Sequence, residues 1–246
     1  MLLNDRQMRS RLSLLALLVA VLLLPGSSVT RAAGEAARAE RLAIDRFINN
    51  AIEKEPVPYQ ARRRLEGAIS KLNETGWMEV STEYTREQGF RYQVLSQGGS
   101  DRIRTRALRK VLEAEQQNLA EWRKGALIPE NYDFNFDGLS PDGLIRVDLN
   151  PRRQDSRLVD GTVWLSPSSG EMVRLEGRLS KSPSFWVRWV NVTRRYLPVR
   201  GLMMPSAVES TADIRMAGLS TFSMTYNYST IDGHPLRSSP ELLTPR

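Results

Sequence analysis

The chain lacks cysteine altogether, so disulfides, thiolate metal sites and cysteine nucleophiles are excluded from its chemistry. It contains a single histidine, His234, which stands beside Pro235 in a polar C-terminal stretch. Zinc sites and most schemes of acid–base catalysis need more histidine than this. Glycine-rich phosphate-binding loops and the G-x-S-x-G and S-x-x-K motifs of serine enzymes are also absent from the sequence. We therefore expect no enzyme here, and hydrolysis by carboxylates alone is the catalytic class left open.

Charge of one sign is not in large excess either. The whole chain carries a formal charge of +7, and residues 35–246, with 31 basic and 27 acidic side chains, carry +4. The contents of hydrophobic residues (41%) and charged residues (26%) are ordinary for a globular protein. This mild excess does not indicate nucleic acid as a partner and suits at most an anionic membrane surface.

No apolar run is long enough to cross a bilayer as a stable helix. The longest, Leu12 to Leu24, has about 13 residues against the ~20 that are needed, and small residues follow it after Pro25-Gly26. A basic n-region, a short apolar h-region and a cleavage site of small residues are typical of a secretory signal peptide. We predict a signal peptide over residues 1–34 and a protein of the periplasm, with a retained membrane anchor as the alternative. The basic n-region contains Arg6, Arg9 and Arg11.

Hydrophobic periodicity after residue 34 predicts helices first and then strands. Apolar residues recur at helical spacing from Ile44 to Ile52 and again from Gln60 to Leu72. Alternation predicts a strand hairpin over residues 77–94, and a long helix capped by Ser100 follows from Asp101 to Trp122. The predicted organisation is a signal peptide (1–34), an N-terminal helix (35–58), a main domain (59–232) and a flexible tail (233–246).

From Leu144 onward, short alternating segments separated by turn residues predict an antiparallel meander. In one of them Leu175 and Leu179 share a face while Arg174 and Arg178 share the other, which is typical of a sheet with one dry face. The predicted fold class is α+β, with a large curved antiparallel sheet forming an incomplete β-barrel and helices as its plug or lid. The predicted strands are Leu144–Leu149, Leu158–Leu165, Glu171–Leu179, Phe185–Val192, Ser206–Ile214 and Thr221–Tyr228.

One predicted hairpin, Gly161-Thr-Val-Trp-Leu-Ser-Pro-Ser-Ser-Gly170, resembles the G-x-x-W-[LI]-x-P-x-[ST]-G hairpin of the LolA superfamily. The signal peptide, the leading helix and the long meander are similar to that superfamily as well, over roughly residues 60–232. The resemblance implies an incomplete antiparallel barrel whose helices plug an apolar concavity, as in periplasmic lipoprotein carriers, receptors and sensors. The chain departs from the carriers in placing a long basic helix after two strands. No site residue is transferred, because fold analogy alone does not establish transport.

Large apolar side chains of the meander could line such a concavity and hold a lipid without directional contacts. An acyl chain gains about 0.8 kcal/mol for each methylene that it buries. The alternative is that the same side chains fill a packed core, since strand residues look identical in sequence in either case. The predicted lipid-binding residues are Trp164, Leu175, Phe185, Trp189, Met203, Phe222 and Met224.

Five cations crowd the start of the long helix, where the helix dipole favours anions. They could dock on anionic lipid headgroups or on an acidic partner. The alternative is a solvated face that Glu113 and Glu115 balance. The five residues are Arg102, Arg104, Arg106, Arg109 and Lys110.

No cofactor and no metal are expected, apart from a weak calcium candidate formed by Asp133, Asn135 and Asp137. These residues alternate as the ligands of a calcium loop do, but Leu144 stands where such a loop has its bidentate glutamate. An asparagine- and aspartate-rich turn is the alternative.

The predicted function is a non-catalytic periplasmic carrier or chaperone that binds a lipid or a lipidated protein in the hydrophobic concavity. The alternatives are a periplasmic protein-interaction or sensor module and, less favoured, a carboxylate-based hydrolase. The expected partners are a lipid or acylated protein and envelope proteins of the inner or outer membrane, not nucleic acid, with the chain itself a monomer. A cavity open to solvent favours the carrier, an exposed apolar patch favours the interaction module, and converging acids of raised pKa favour the hydrolase.

Overall fold

The structure is a computed structural model that describes residues 38, 41–51 and 55–236 of the 246-residue chain. Almost everything described below belongs to the unit Leu42–Arg246. The predicted signal peptide lies outside the described residues. Among the helices that the structure describes, none is long and apolar enough to cross a membrane.

This unit is built on one eleven-stranded antiparallel sheet. Its strand order is β3-β2-β1-β10-β9-β8-β7-β6-β5-β4, with β11 beside β10, so β3 and β4 form two edges that do not meet. The sheet is therefore open, which confirms the predicted α+β fold with an incomplete barrel. The strands are β1 (Tyr59–Ile69), β2 (Glu74–Thr85), β3 (Gly89–Gly99), β4 (Tyr132–Leu139), β5 (Ile145–Pro151), β6 (Val159–Leu165), β7 (Met172–Leu179), β8 (Val187–Val199), β9 (Leu202–Ile214), β10 (Gly218–Ile231) and β11 (His234–Pro235).

Two helices accompany the sheet. Helix α1 covers residues 41–51, and helix α2 consists of Asp101–Ile103, a π-helical turn at Arg104–Leu108 and Arg109–Ala120. The Ser100 hydroxyl accepts a hydrogen bond from the Ile103 amide at 3.5 Å, as the sequence predicts for an N-cap. Short 3₁₀ turns occur at Ser70–Leu72 and Trp122–Lys124.

Both helices pack on the same face of the sheet, which we call the helix face. Residues directly opposite each other in an antiparallel pair point to the same side. Leu65 of β1 lies opposite Met78 and Met224, and this row packs with Ile103 and Leu108 of α2. The other side, called the open face, carries the alternate residues, which are mostly charged or hydroxylated.

Two hydrophobic cores form between the helices and the sheet. In the first core Ala43 and Phe47 of α1 pack on strands β4 to β8, and in the second α2 packs on β1 to β3 and β10. Burial of one such aliphatic side chain contributes about 1.5–3 kcal/mol relative to exposure. Val208 of β9 is half-buried and packs against both cores. The strip of sheet around Val208 therefore lies between the two helices.

The helix predicted from Gln60 to Leu72 is wrong, because residues Tyr59–Ile69 form the strand β1 and a 3₁₀ turn follows. β1 pairs along its length with β2 on one side and with β10 on the other. Its buried positions alternate, but one of them is Arg63, and this cation concealed the period of two in the sequence. Pairing on both sides outweighs a local pattern that also fits a helix.

Candidate functional site

The strand register distributes the seven predicted lipid-binding residues over both faces of the sheet. Leu175, Phe222 and Met224 lie on the helix face, whereas Trp164 and Trp189 lie on the open face. The side chains of a strand alternate between its two sides, so neighbours of an inward residue point outward. These five residues therefore cannot line one cavity.

The other two residues of the predicted set lie apart from both groups. Phe185 lies in the connection between β7 and β8 and is 72% exposed. Met203 lies opposite Pro198 and is half-buried. The structure thus separates a set that the sequence placed in one hollow, because its hydrophobicity could not reveal on which side each residue lies.

Arginine side chains cover the two tryptophans of the open face. The Arg174 guanidinium lies 4.1 Å from the centre of the Trp164 ring, and the Arg178 guanidinium lies 5.8 Å from that of Trp189. Such contacts stabilise an indole at a polar surface by about 0.5–1 kcal/mol. Trp164 and Trp189 are therefore part of the charged open face.

Of the residues on the helix face, Leu175 and Met224 are each 4% exposed and belong to the packed cores. Phe222 is half-buried at the margin of the second core. A role of these three residues in lipid binding stays a prediction. Of the three, Phe222 is the residue that a ligand on the helix face could contact directly, because Leu175 and Met224 are buried within the cores.

Between the two cores, the helix face of β8, β9 and β10 forms a strip of half-buried residues that neither core covers completely. We call this strip the helix-face trough, because α1 and α2 pack on the sheet on either side of it. Across the three strands, Val190 lies opposite Ala212, and Ser210 lies opposite Phe222. The trough consists of the exposed Arg194 and of five half-buried residues, Val190, Val208, Ser210, Ala212 and Phe222.

Arg194 is the charged member of the trough, and it lies opposite Val208. The residue as a whole is exposed to solvent, and its guanidinium lies near the phenols of Tyr196 and Tyr226. Burial lowers the pKa of this guanidinium, but the nearby phenols of Tyr196 and Tyr226 and the carboxylate of Glu115 outweigh that effect and raise it. Arg194 is therefore a permanent cation on an otherwise mostly apolar strip.

Beside the trough lies a buried ion pair that joins the sheet to α2. The Arg63 side chain is fully buried, and its two terminal nitrogens donate to the Glu115 carboxylate at 2.6 and 3.0 Å. Tyr59 accepts a further hydrogen bond from Arg63 and donates one to Glu115 at 3.3 Å. Two parallel hydrogen bonds between guanidinium and carboxylate give both strength and a fixed orientation.

Aromatic rings enclose this ion pair. The Arg63 guanidinium lies 4.4 Å from the centre of the Tyr226 ring and 5.3 Å from that of Phe90. Burial raises the pKa of the Tyr59 and Tyr226 phenols far above the usual tyrosine range, and the Glu115 carboxylate adds to both shifts. The cluster therefore holds one cation and one anion among neutral phenols. Sequence reasoning missed it, because Arg63 lay in the wrongly predicted helix and Glu115 was assigned to the surface.

The open face contains a groove of about 620 Å³ that crosses β2, β1, β10, β9 and β8. Its carboxylates are already paired: Glu66 accepts from Arg64 at 3.0 Å, and Glu209 accepts from Arg195 at 2.7 Å. The Arg64 guanidinium also lies 4.2 Å from the centre of the Trp77 ring. Hydroxyl and amide groups of the open face form most of the remaining lining, namely Thr75, Asn191, Thr193, Thr211, Thr221 and Ser223. Val192, Ser210 and Phe222, whose side chains lie on the helix face, also border the groove.

Three of the five cations at the start of α2 form ion pairs with carboxylates. Arg102 pairs with Glu74 at 3.4 Å, Arg104 with Asp101 at 3.2 Å, and Lys110 with Glu113 at 2.6 Å. Arg106 is exposed, while Arg109 is half-buried. Glu113 thus balances this cluster as expected, whereas Glu115 turns to Arg63. Docking through these five cations stays a prediction.

The calcium candidate is not supported, because its residues lie on strand β4 and not on a loop. An extended strand cannot wrap alternate ligands around one ion as a calcium loop does. Asp133 instead pairs with Arg152, and Asp137 pairs with Arg146. In the described part of the chain no three His, Cys, Asp or Glu side chains are grouped to hold a metal.

Carboxylates with perturbed pKa values do not form a catalytic pair in the described residues. The pKa shifts found for the carboxylates of Glu121, Asp142 and Asp155 are all downward, and hydrogen bonds from neighbouring side chains are the main cause. A general acid needs a raised value. The described residues therefore offer no support for the hydrolase alternative.

No protein-family model and no curated protein matches this chain. Its structure is similar to that of a LolA superfamily protein from Nitrosomonas europaea, with a TM-score of 0.42 and 10% identity over 82% of this chain and 97% of that one. It is also similar to a DUF1329 family protein from Desulfovibrio piger, with a TM-score of 0.38 and 11% identity over 78% and 91% of the two chains.

Proposed function

We propose that this chain is a non-catalytic carrier that holds a lipid, or the acyl chain of a lipidated protein, in the helix-face trough. The observation that carries the proposal is that the helices cover only part of the helix face. Packed cores lie under α1 and α2, and a mostly apolar, half-buried strip of the sheet lies between them. A flexible acyl chain on this strip would bury the side chains that the cores leave accessible. Each methylene that leaves water contributes about 0.8 kcal/mol.

Arg194 gives the trough a polarity that suits an amphiphile. A guanidinium presents a fork of donors that matches a carboxylate or phosphate group. The phenols of Tyr196 and Tyr226 lie close to Arg194 and can add further hydrogen bonds. We therefore assign the anionic head of the ligand to Arg194 and its apolar tail to Val190, Val208 and Phe222.

Export to the periplasm belongs to the same proposal. It rests on the signal peptide predicted over residues 1–34, since a carrier of lipids or lipoproteins acts between the membranes of the envelope. Envelope proteins that deliver or accept the cargo are the partners this role requires.

A second candidate function, a protein-interaction module, is favoured by the groove on the open face. Its hydroxyl and amide lining and its neutralised carboxylates suit a polar segment of another protein. Because the groove and the trough lie on opposite faces, substitutions can test the two functions separately.

Adjacent residues of β9 provide the matched pair for this test. The side chain of Ser210 lies on the helix face and that of Thr211 on the open face, although both residues border the groove. We expect Ser210→Phe to weaken binding of a fluorescent fatty acid at least about tenfold, because the ring occupies space that the acyl chain needs. Thr211→Phe should leave the affinity within about twofold. The chain from residue 35 onward serves for these titrations, since the unit 42–246 contains the whole described sheet and both cores.

Arg194→Gln tests the assignment of the head group. We expect this variant to lose affinity for the fatty acid but not for the uncharged alcohol of the same chain length. Circular dichroism of each variant verifies that it is folded. The carrier proposal is wrong if the unsubstituted chain does not bind the fatty acid, or if Thr211→Phe weakens binding as much as Ser210→Phe.

A further inference from the structure

Three connections meet at one end of the central strands and form a rim. The Lys71 side chain, between β1 and β2, donates to the Met216 carbonyl between β9 and β10 at 3.2 Å. The Arg215 amide donates to the Trp186 carbonyl, between β7 and β8, at 2.7 Å, and Arg215 Nε donates to the Phe185 carbonyl at 2.8 Å. These hydrogen bonds hold the rim together as one surface.

The rim exposes large apolar side chains. Phe185 is 72% exposed, Trp186 58%, Met216 83% and Leu219 53%. The Phe185 and Trp186 rings contact each other edge to face, with 5.5 Å between their centres. Isolated exposed apolar residues are ordinary on a protein surface, but a contiguous group marks a site of interaction.

Cations surround these apolar groups. Lys71, Lys181, Arg188 and Arg215 are all exposed, and the Arg215 guanidinium lies 4.6 Å from the centre of the Phe185 ring. Among the described residues, Asp213 is the carboxylate that pairs with one of them, Arg188, at 3.1 Å. The rim therefore combines an apolar centre with a net positive margin.

We propose that this rim docks on the surface of an anionic lipid bilayer. Aromatic and aliphatic side chains that enter the headgroup region leave water, and tryptophan favours that region in particular. Lysine and arginine beside them are attracted by anionic headgroups. The apolar centre suits the headgroup region and the positive margin complements anionic headgroups, so the rim matches an anionic bilayer in both respects. The proposal does not depend on a ligand in the helix-face trough.

Co-sedimentation with vesicles tests the proposal on the chain from residue 35 onward. We expect binding to vesicles of phosphatidylglycerol and phosphatidylethanolamine, weakened by salt, and no binding to vesicles of phosphatidylcholine alone. Phe185→Ser with Trp186→Ser should reduce the partition at least about tenfold. Lys71→Gln with Arg215→Gln should reduce it by a similar factor, since each cation near such a surface contributes about fivefold.

Leu139→Ser with Leu197→Ser is the matched control, because both leucines are exposed and lie outside the rim. This control should keep the full affinity for the anionic vesicles, and thermal unfolding of each variant verifies that the rim substitutions leave the fold intact. The proposal is overturned if the unsubstituted chain ignores anionic vesicles, or if the control loses as much binding as the rim variant. It is also overturned if analytical ultracentrifugation shows a dimer of the chain that Phe185→Ser with Trp186→Ser dissociates.

Discussion

Arg63 joins the sheet to α2 through a charge that is buried inside the second core. Arg63 occupies a buried position of β1 whose neighbours on the same face are apolar, and its guanidinium contacts Glu115 on the helix. The energy of desolvating two charges offsets much of their attraction, so the intact pair adds little net stability. Loss of one partner is a different matter, because it leaves the other charge unpaired in a largely buried site.

We expect Arg63→Met to lower the free energy of unfolding by about 3 kcal/mol, since it leaves the Glu115 carboxylate unpaired. A second substitution, Glu115→Leu, should then restore much of the loss. Urea unfolding of the single and double variants measures both effects. As a control, Arg195→Met removes an exposed pair with Glu209 and should cost no more than about 1 kcal/mol. If the double variant is as unstable as Arg63→Met alone, the buried charge is not the cause.

Asp155 makes a contribution to stability that depends on pH. Hydrogen bonds from Arg157 lower the pKa of its carboxyl group to about 2, and the Arg157 side chain also reaches Glu121 just beyond the end of α2 at 2.7 Å. Because the pKa is lower in the folded chain, the ionised form stabilises the fold at neutral pH. That stabilisation is lost as the pH falls from about 4 towards 2.

Asp155→Asn should therefore lower the free energy of unfolding at neutral pH by about 1–2 kcal/mol, a range that allows for solvent screening. The difference from the unsubstituted chain should stay constant from about pH 7 to pH 5 and shrink as the pH approaches 3. Urea unfolding at these pH values measures it. A difference that is the same at every pH would show that the Asp155 charge is not responsible.

At the scale of elements, α2 approaches the sheet closely because glycines lie beneath it. A Cβ atom on Gly76 would come within 2.9 Å of Ile103, and one on Gly67 would lie 3.0 Å from the same side chain. The absence of side chains at these two positions allows the buried stripe of α2 to contact β1 and β2 directly. The wall of the trough on this side depends on that contact.

We expect Gly76→Ala to lower the free energy of unfolding by about 1–3 kcal/mol, because the added methyl group pushes Ile103 and the start of α2 away from the sheet. Hydrogen exchange should accelerate in α2 more than in the central strands. Thr75→Ala, next to it on the open face, is the matched control and should have little effect on exchange. Uniform acceleration in Gly76→Ala would instead mean that the whole fold loosens.

The sequence predicted most of the strands, because turn residues and alternation mark them. It placed most of the meander strands, the β2–β3 hairpin and α2 within a few residues of their positions, but it ended the strand predicted over Phe185–Val192 seven residues before the end of β8. It failed where a functional or charged residue broke the alternation, as Arg63 does in β1, and where polar residues occupied a strand, as in β4. It could not predict the trough, since the side of a strand that each residue faces follows from pairing with distant segments.

At the scale of the whole molecule, the open sheet separates three surfaces. The helix face carries the trough between two cores, the open face carries the polar groove, and one end of the central strands carries the apolar and basic rim. A carrier that takes cargo from one membrane and delivers it to another needs both a site for the cargo and a means of reaching the bilayer. The trough and the rim would meet these two needs on one rigid sheet.

Native mass spectrometry of the protein, purified from its own cells, tests the central claim most directly. With a carrier, the unsubstituted chain should bear an additional mass that organic extraction identifies as a lipid or acyl group. Ser210→Phe should be free of that mass, and Thr211→Phe should retain it. An unsubstituted chain without any bound amphiphile, which also takes up no added fatty acid, would contradict lipid binding in the trough and direct attention to the open-face groove.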